Sequence, residues 1–406
     1  MPIEVVEGKS VFKNRNKLAK YPDPLRDPER YIPYPSVGHT PRFSITASDK
    51  IFTIGSCFAR NTERALIAMG VPVLSALVEG VSPDENITNK YTTKSILHDL
   101  RTAFAYPEQA KTTIYEETPG GFVNLTFGGT GALRAKPLDD VTDLTDRYFS
   151  NLRKIREADV IIITLGLVEV WYDKITRTYL NLMPNLKILR REPDRFEMHV
   201  LSYEDIMSDV QEILAILRAN ARPGVRFLMT VSPVPLHATF RDQDCLQANA
   251  YSKSVQRTAV EVLSIKNPDV AYFPSYEMVT LAAPQYAWVD VDFRHVRKEM
   301  VDRIMRAVLS QYLEPGILPP SKEDFQKLFR EKNFEKMLSD IEAHLNAKSI
   351  ELPSASVQVQ YYFARANAGL GRRDVALDAI RHVTQRMPHH IQAQSLQKEL
   401  EGAVNP

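Results

Sequence analysis

Cysteine is nearly absent from this chain: its 406 residues contain two, Cys57 and Cys245, and neither belongs to a Cys-x-x-Cys pair. That excludes a disulfide framework, argues against a thiolate zinc site, and fits a reducing compartment. Net charge is nearly absent too, since 51 basic residues stand against 50 acidic ones, a balance of +1. Without a basic excess, nothing draws the chain towards nucleic acid or an anionic membrane surface. No apolar run approaches the ~20 residues that a membrane-spanning helix needs, and the opening MPIEVVEGKSVFKNRNKLAKYPDP holds no apolar signal core. A cytoplasmic protein without a membrane span is expected. Also missing are HExxH, a Gly-rich phosphate loop and GxGxxG, so metal, nucleotide and dinucleotide chemistry lack a motif. No metal and no bound cofactor is expected.

What the sequence does contain is a recurrent alternation. Residues 1–45 are rich in proline and tyrosine, which favours extended, turn-rich backbone, and read as an arm lying over the main domain. Apolar strand candidates then follow at KIFTIG (50–55), VPVLS (71–75), ADVIIITLG (158–166), VRFLMTVS (225–232) and DVAYFPS (269–275). Amphipathic helix candidates separate them, among them FARNTERALIAMG, TTKSILHDLRTAFA, SYEDIMSDVQEILAILRAN and CLQANAYSKSVQRTAVEVLSIK. Nearly continuous apolar strands between helices predict a doubly wound parallel sheet of flavodoxin-like α/β type, spanning 46–318. Such sheets bind ligands at the C-terminal ends of their strands, and Gly55-Ser56-Cys57 closes the first one.

Residues 319–406 change to purely helical character. Met337, Leu338 and Ile341 recur as Ala376, Leu377 and Ile380, each 39 residues later. Small residues at helix contacts, Gly371 in a turn and Pro388 after a helix resemble a tetratricopeptide-type unit. Fewer than three repeats build no long solenoid, so this small all-α domain reads first as a packed cap and second as a docking surface for a protein partner.

A thiol at a strand-to-helix junction is either a small apolar filler or a nucleophile. Helix N-terminal N–H groups favour the thiolate and can receive an oxyanion, so a lowered Cys57 pKa is expected if the nucleophile reading holds. Of nine histidines, His295 stands out: it follows the last strand in WVDVDFRHVRKEM, with Asp292 three residues ahead to orient it.

A first strand ending in a nucleophile turn, followed much later by Asp-x-x-His, resembles the SGNH (GDSL-like) hydrolases. GSCFA, residues 55–59, is the motif that names a family within that superfamily, and similarity continues through 158–173, TVSPVP (230–235), Asn249-x-x-Ser252-Lys253, YFPSYE (272–277) and Asp292-Phe-Arg-His295. The resemblance implies Cys57 as nucleophile, His295 as base and Asp292 as its orienting partner, with Ser56 a cap or donor. The superfamily's Gly-x-Asn-Asp block corresponds to Gly166-Leu167-Val168-Glu169, so the usual oxyanion-hole asparagine is replaced by Val168. The Cys57 N–H and Asn89 are the expected substitutes, Glu169 and Trp171 are expected pocket residues, and Cys245 is expected to be inert. The implied function is acyl transfer or ester hydrolysis on a carbohydrate-linked or other small acyl substrate, with acyl-CoA available as donor. The competing expectation is a non-catalytic glycan- or peptide-binding protein with a docking tail.

Overall fold

A computed structural model of the chain describes residues 2–12, 16–23, 25–46, 48–68, 71–76, 78–82, 86–104, 115–127, 134–314, 318 and 320–402. The chain divides into two units, Met1–Phe43 with Asp49–Val308, and Ser44–Ser48 with Leu309–Pro406.

In the first unit, β1 (Ile51–Gly55) leads into α1 (Cys57–Ala68) and α2 (Thr93–Phe104), followed by a hairpin, β2 (Tyr115–Thr118) and β3 (Gly121–Asn124). After α3 (Leu138–Leu152) come β4 (Val160–Leu165), β5 (Glu169–Asp173), β6 (Thr178–Tyr179), β7 (Phe196–Val200) and α4 (Tyr203–Asn220). Then come β8 (Arg226–Val231), α5 (Cys245–Lys266), β9 (Val270–Tyr272) and α6 (Lys298–Tyr312), of which the residues up to Val308 belong to this unit. The main sheet is parallel, ordered β1-β4-β8-β9. The expected α/β class is the one observed. Every residue of β1 and β4 is buried, which explains their unbroken β-branched and apolar character. Phe52, Ile54, Ile161, Ile163, Phe227 and Met229 share one core with helical residues such as Leu100, Ile213 and Leu263. Ile51, Val160, Ile162 and Leu228 alternate with them and are equally buried, so both faces of the sheet are covered.

The expected strand at 71–75 is reduced to a single parallel bridge between Val73 and Ile51. Pro72 has no N–H to donate, and the N–H of Thr53 is taken by the Ser75 hydroxyl at 3.1 Å, where a backbone carbonyl would continue a ladder. That bridge still lies on the side of β1 away from β4. The chain therefore reverses its winding at β1, and the gap between the ends of β1 and β4 is the place where such sheets bind ligands.

The arm meets its own unit through Arg42, which donates to the Val270 carbonyl at 3.2 Å, and through Tyr34, packed edge-on against Tyr286 with ring centroids 5.4 Å apart. No helix among the described residues is long and apolar enough to cross a membrane.

The second unit is helical: α7 (Lys322–Arg330), α8 (Phe334–Lys348), α9 (Val357–Gly369), α10 (Arg373–Arg386) and α11 (Ile391–Gly402), each packed on the next. Its core joins Met337, Leu338 and Ile341 to Ala376 and Ile380, the positions that recur in the sequence. Gly371 makes the α9–α10 turn at φ +73°, a conformation that costs glycine little. A parallel bridge from Ile45 to Leu313 adds residues 44–48 to this unit.

Candidate active site

Gly55 sets the geometry at the end of β1. Its φ is +144°, and a Cβ there would stand 2.5 Å from the Thr164 carbonyl oxygen of β4, so only glycine lets the strands close up before the chain turns into α1. Gly55→Ala is expected to destabilise the protein by roughly 2–5 kcal/mol, combining backbone strain with a backbone clash, measurable as a lowered urea midpoint.

The turn is anchored from below by a buried polar cluster. Arg60 pairs with Glu63 at 2.8 Å and donates to the Thr53 carbonyl at 3.1 Å, while Thr53 and Ser75 both bond Glu63. This cluster fixes α1 on β1, and with it the position of Cys57.

A cavity of about 600 Å³ opens at the C-terminal end of the sheet. Loops after β1, β4 and β8 supply its walls, as the fold rule requires. Ser56, Cys57, Asn89, Gly166, Glu169, Trp171 and His295 all line it, and Asp292 stands behind His295.

Cys57 is the first residue of α1 and partly buried. Burial pushes its thiol above the usual range; Arg294, the N–H groups of Phe58 and Cys57, and Lys253 pull in the opposite direction and do not prevail. The expected lowered pKa is thus corrected: desolvation outweighs the helix N-terminus, and the resting group is a thiol. Of the two roles expected for Ser56, the cap is not found: its hydroxyl is buried and has no hydrogen-bond partner among the described residues, so it does not cap α1. Ser56→Ala is expected to change stability by no more than about 1 kcal/mol, because no bond is lost, and to lower turnover far less than a Cys57 replacement.

His295 sits on a loop closed by an antiparallel bridge between Trp288 and Val296. Asp292 accepts from the N–H groups of Arg294 at 2.9 Å and His295 at 3.1 Å, and its second oxygen meets His295 Nδ1. The N–H of Arg294 first, and His295 next, hold the Asp292 carboxyl well below the ordinary carboxylate range. Phe293, between them, takes the left-handed conformation at φ +48°. With Nδ1 engaged, Nε2 is the ring nitrogen left for proton transfer. No hydrogen bond joins the Cys57 sulfur to His295, although both line the cavity. Catalytic bonds of this kind often tighten only on substrate.

Asn89 is held by backbone pairing, with Lys90 N–H donating to the Gly55 carbonyl at 2.8 Å and Asn181 Nδ2 donating to the Asn89 carbonyl at 2.8 Å. Among the described residues its side-chain amide has one long bond, 3.4 Å to the Tyr91 hydroxyl, and its buried Oδ1 has no partner. Gly166 packs its Cα against the Tyr91 carbonyl, where a Cβ would come within 2.5 Å. Val168 is buried in the core and does not line the cavity. Glu169 accepts from the Thr239 hydroxyl at 2.7 Å, and Trp171 meets Phe240 edge to face with centroids 5.3 Å apart.

The antiparallel sheet β6-β5-β7 carries one wall of this cavity, including Trp171, and the loop after β6 adds Asn181 and Met183. Sequence reasoning missed these strands, whose half-exposed pattern is weak, and missed Tyr91, Arg294 and Lys253 as neighbours of Cys57. The family model described as the GSCFA family matches residues 50–307. The chain belongs to the GSCFA family. Both the strand-to-helix turn at Cys57 and the Asp292–His295 loop lie within the matched GSCFA region. No curated protein matches the chain.

Proposed function

We propose that this GSCFA protein is an acyl-transfer enzyme, an acyltransferase or esterase of the SGNH type, with Cys57 as nucleophile. The observation that carries the reading is the convergence of Cys57 and the Asp292-oriented His295 on one cavity at the switch point of a parallel sheet. His295 Nε2 takes the thiol proton as Sγ bonds the carbonyl carbon of an ester or thioester, and the carbonyl electrons pass to oxygen. The Cys57 N–H and the Asn89 amide, which has only a 3.4 Å bond to give up, receive that oxyanion. Collapse of the intermediate expels the alcohol or thiol, which carries away the proton from His295. A hydroxyl acceptor or water then resolves the thioester by the reverse sequence.

The cavity is roomier than an acyl group alone, and its apolar wall of Leu167, Trp171, Leu236 and Phe240 can receive that group; a carbohydrate-linked substrate and an acyl-CoA donor in the cytoplasm are the extension that the family resemblance implies. The helical unit is read as tetratricopeptide-like, a cap or a partner-docking module. The absent Cys57–His295 bond favours a second reading, a glycan- or peptide-binding protein in which Cys57 is a spectator. The assay that separates them is turnover of acyl-CoAs and activated esters, with and without carbohydrate acceptors, before and after stoichiometric alkylation of Cys57. Turnover that disappears on alkylation supports the enzyme; no turnover on any donor supports the binding protein.

A further inference from the structure

Lys253 is fully buried in α5, and its Nζ donates to the Gly166 carbonyl at 2.7 Å. Gln256, on the same helix face, donates to that carbonyl at 3.1 Å. Two other buried cations of this unit have carboxylates: Arg60 has Glu63 at 2.8 Å and Lys90 has Asp99 at 2.6 Å. Lys253 has no carboxylate among the described residues. An ammonium taken out of water without a counter-ion is costly, so the amine either gives up its proton or draws on a negative charge nearby. Gly55 pairs with Thr164 across β1 and β4, so Cys57 and Gly166 follow neighbouring strand ends, and both line the cavity whose Gly166 carbonyl Lys253 holds.

We propose that Lys253 is a positioning residue of this site: the buried counter-cation that holds the Cys57 thiolate from beneath, while His295 handles protons at the cavity mouth. Burial pulls the Lys253 amine down to about 7, and the one opposing influence is Cys57. In the reverse direction, Lys253 is among the groups that oppose the upward push on the thiol. Each charge alone is disfavoured, and each relieves the other. The other titratable groups on this cavity are Tyr91, Glu169, His237, Arg294 and His295; Arg294 acts in the same direction as Lys253, and Tyr91 resists ionisation through burial and then through Cys57.

The catalytic consequence rests on the acyl-transfer reading, but the titration needs no substrate. In the full-length chain, the pH profile of Cys57 alkylation by iodoacetamide is measured for wild type, Lys253→Met and Gln256→Leu. Lys253→Met is expected to move the midpoint up by at least ~1 pH unit, a roughly tenfold slower reaction at pH 7. Gln256→Leu, which loses a Gly166 bond but no charge, is expected to leave the midpoint in place. A folded Lys253→Met protein whose profile superimposes on wild type overturns the proposal, as does an equal shift in Gln256→Leu. Cys57→Ala gives the reciprocal reading even if Lys253→Met fails to fold: the Lys253 13Cε titration should move to lower pH, and an unmoved midpoint overturns the pairing. Stability supplies a further check. A lysine whose amine is lowered from 10.5 to about 7 penalises the folded state most below pH 7, and the penalty fades as pH rises to 10.5. That rise in thermal midpoint should be reduced in Lys253→Met. A midpoint shift without any acyl-enzyme would sink the acyl-transfer reading alone; an acyl-enzyme without the shift would sink this inference alone.

Discussion

Cys57→Ala is expected to abolish turnover, and Cys57→Ser to reduce it by ~100-fold or more, the size of loss usual for one major catalytic element. The reason is the charge environment rather than shape. Arg294, Lys253 and the N–H of Phe58 all favour a negative sulfur, yet burial keeps the resting group protonated. A thiol can be brought to thiolate in that field by a modest change on substrate binding. A serine hydroxyl ionises far less readily and would depend on concerted transfer to His295, for which no preformed hydrogen bond exists. Rates for the three proteins under saturating donor check the order. Wild-type turnover by Cys57→Ser joined to complete loss in Ser56→Ala would reverse the nucleophile assignment.

The second large effect belongs to the base. His295→Ala is expected to lower turnover by ~10²–10⁴-fold, the range for a positioned general base. Asp292→Asn should lose ~100-fold or more although the loop stays folded. An asparagine oxygen can still accept from the Arg294 and His295 N–H groups, but its NH₂ then faces Nδ1 and forces the proton onto Nε2, the nitrogen that must accept. Because backbone N–H groups hold Asp292 ionised far below neutrality, the acid limb of the pH–rate profile should not move with the Asp292 titration. A limb assignable to Asp292, or a fully active Asp292→Asn, would show that the pair only shapes the loop.

Much of this site is legible in the sequence. Four of the five expected strands form the sheet, because buried parallel strands are written as unbroken apolar runs such as VIIITL. The fifth failed where Pro72 removed a donor and the Ser75 side chain took over a backbone role, neither of which periodicity registers. Cys57 and His295 were legible because a cysteine at a strand end and a histidine three residues after an aspartate are local patterns. Lys253 stood out only as part of the Asn249-x-x-Ser252-Lys253 block, and its place under the site was not legible, since a lysine in mid-helix ordinarily marks the solvent face and its burial follows from how α5 lies over the Gly166 turn. Arg294 was hidden for a related reason: its meaning depends on the fold of the Trp288–Val296 loop around Asp292.

The central claim, that Cys57 carries the acyl group, is tested most directly by trapping the protein with an acyl-CoA or an activated ester, digesting it, and locating the added mass by tandem mass spectrometry. The account predicts a single acyl group on the Cys57 sulfur, released by neutral hydroxylamine and missing from Cys57→Ala. An acyl group on Ser56, or unchanged labelling in Cys57→Ala, would contradict it.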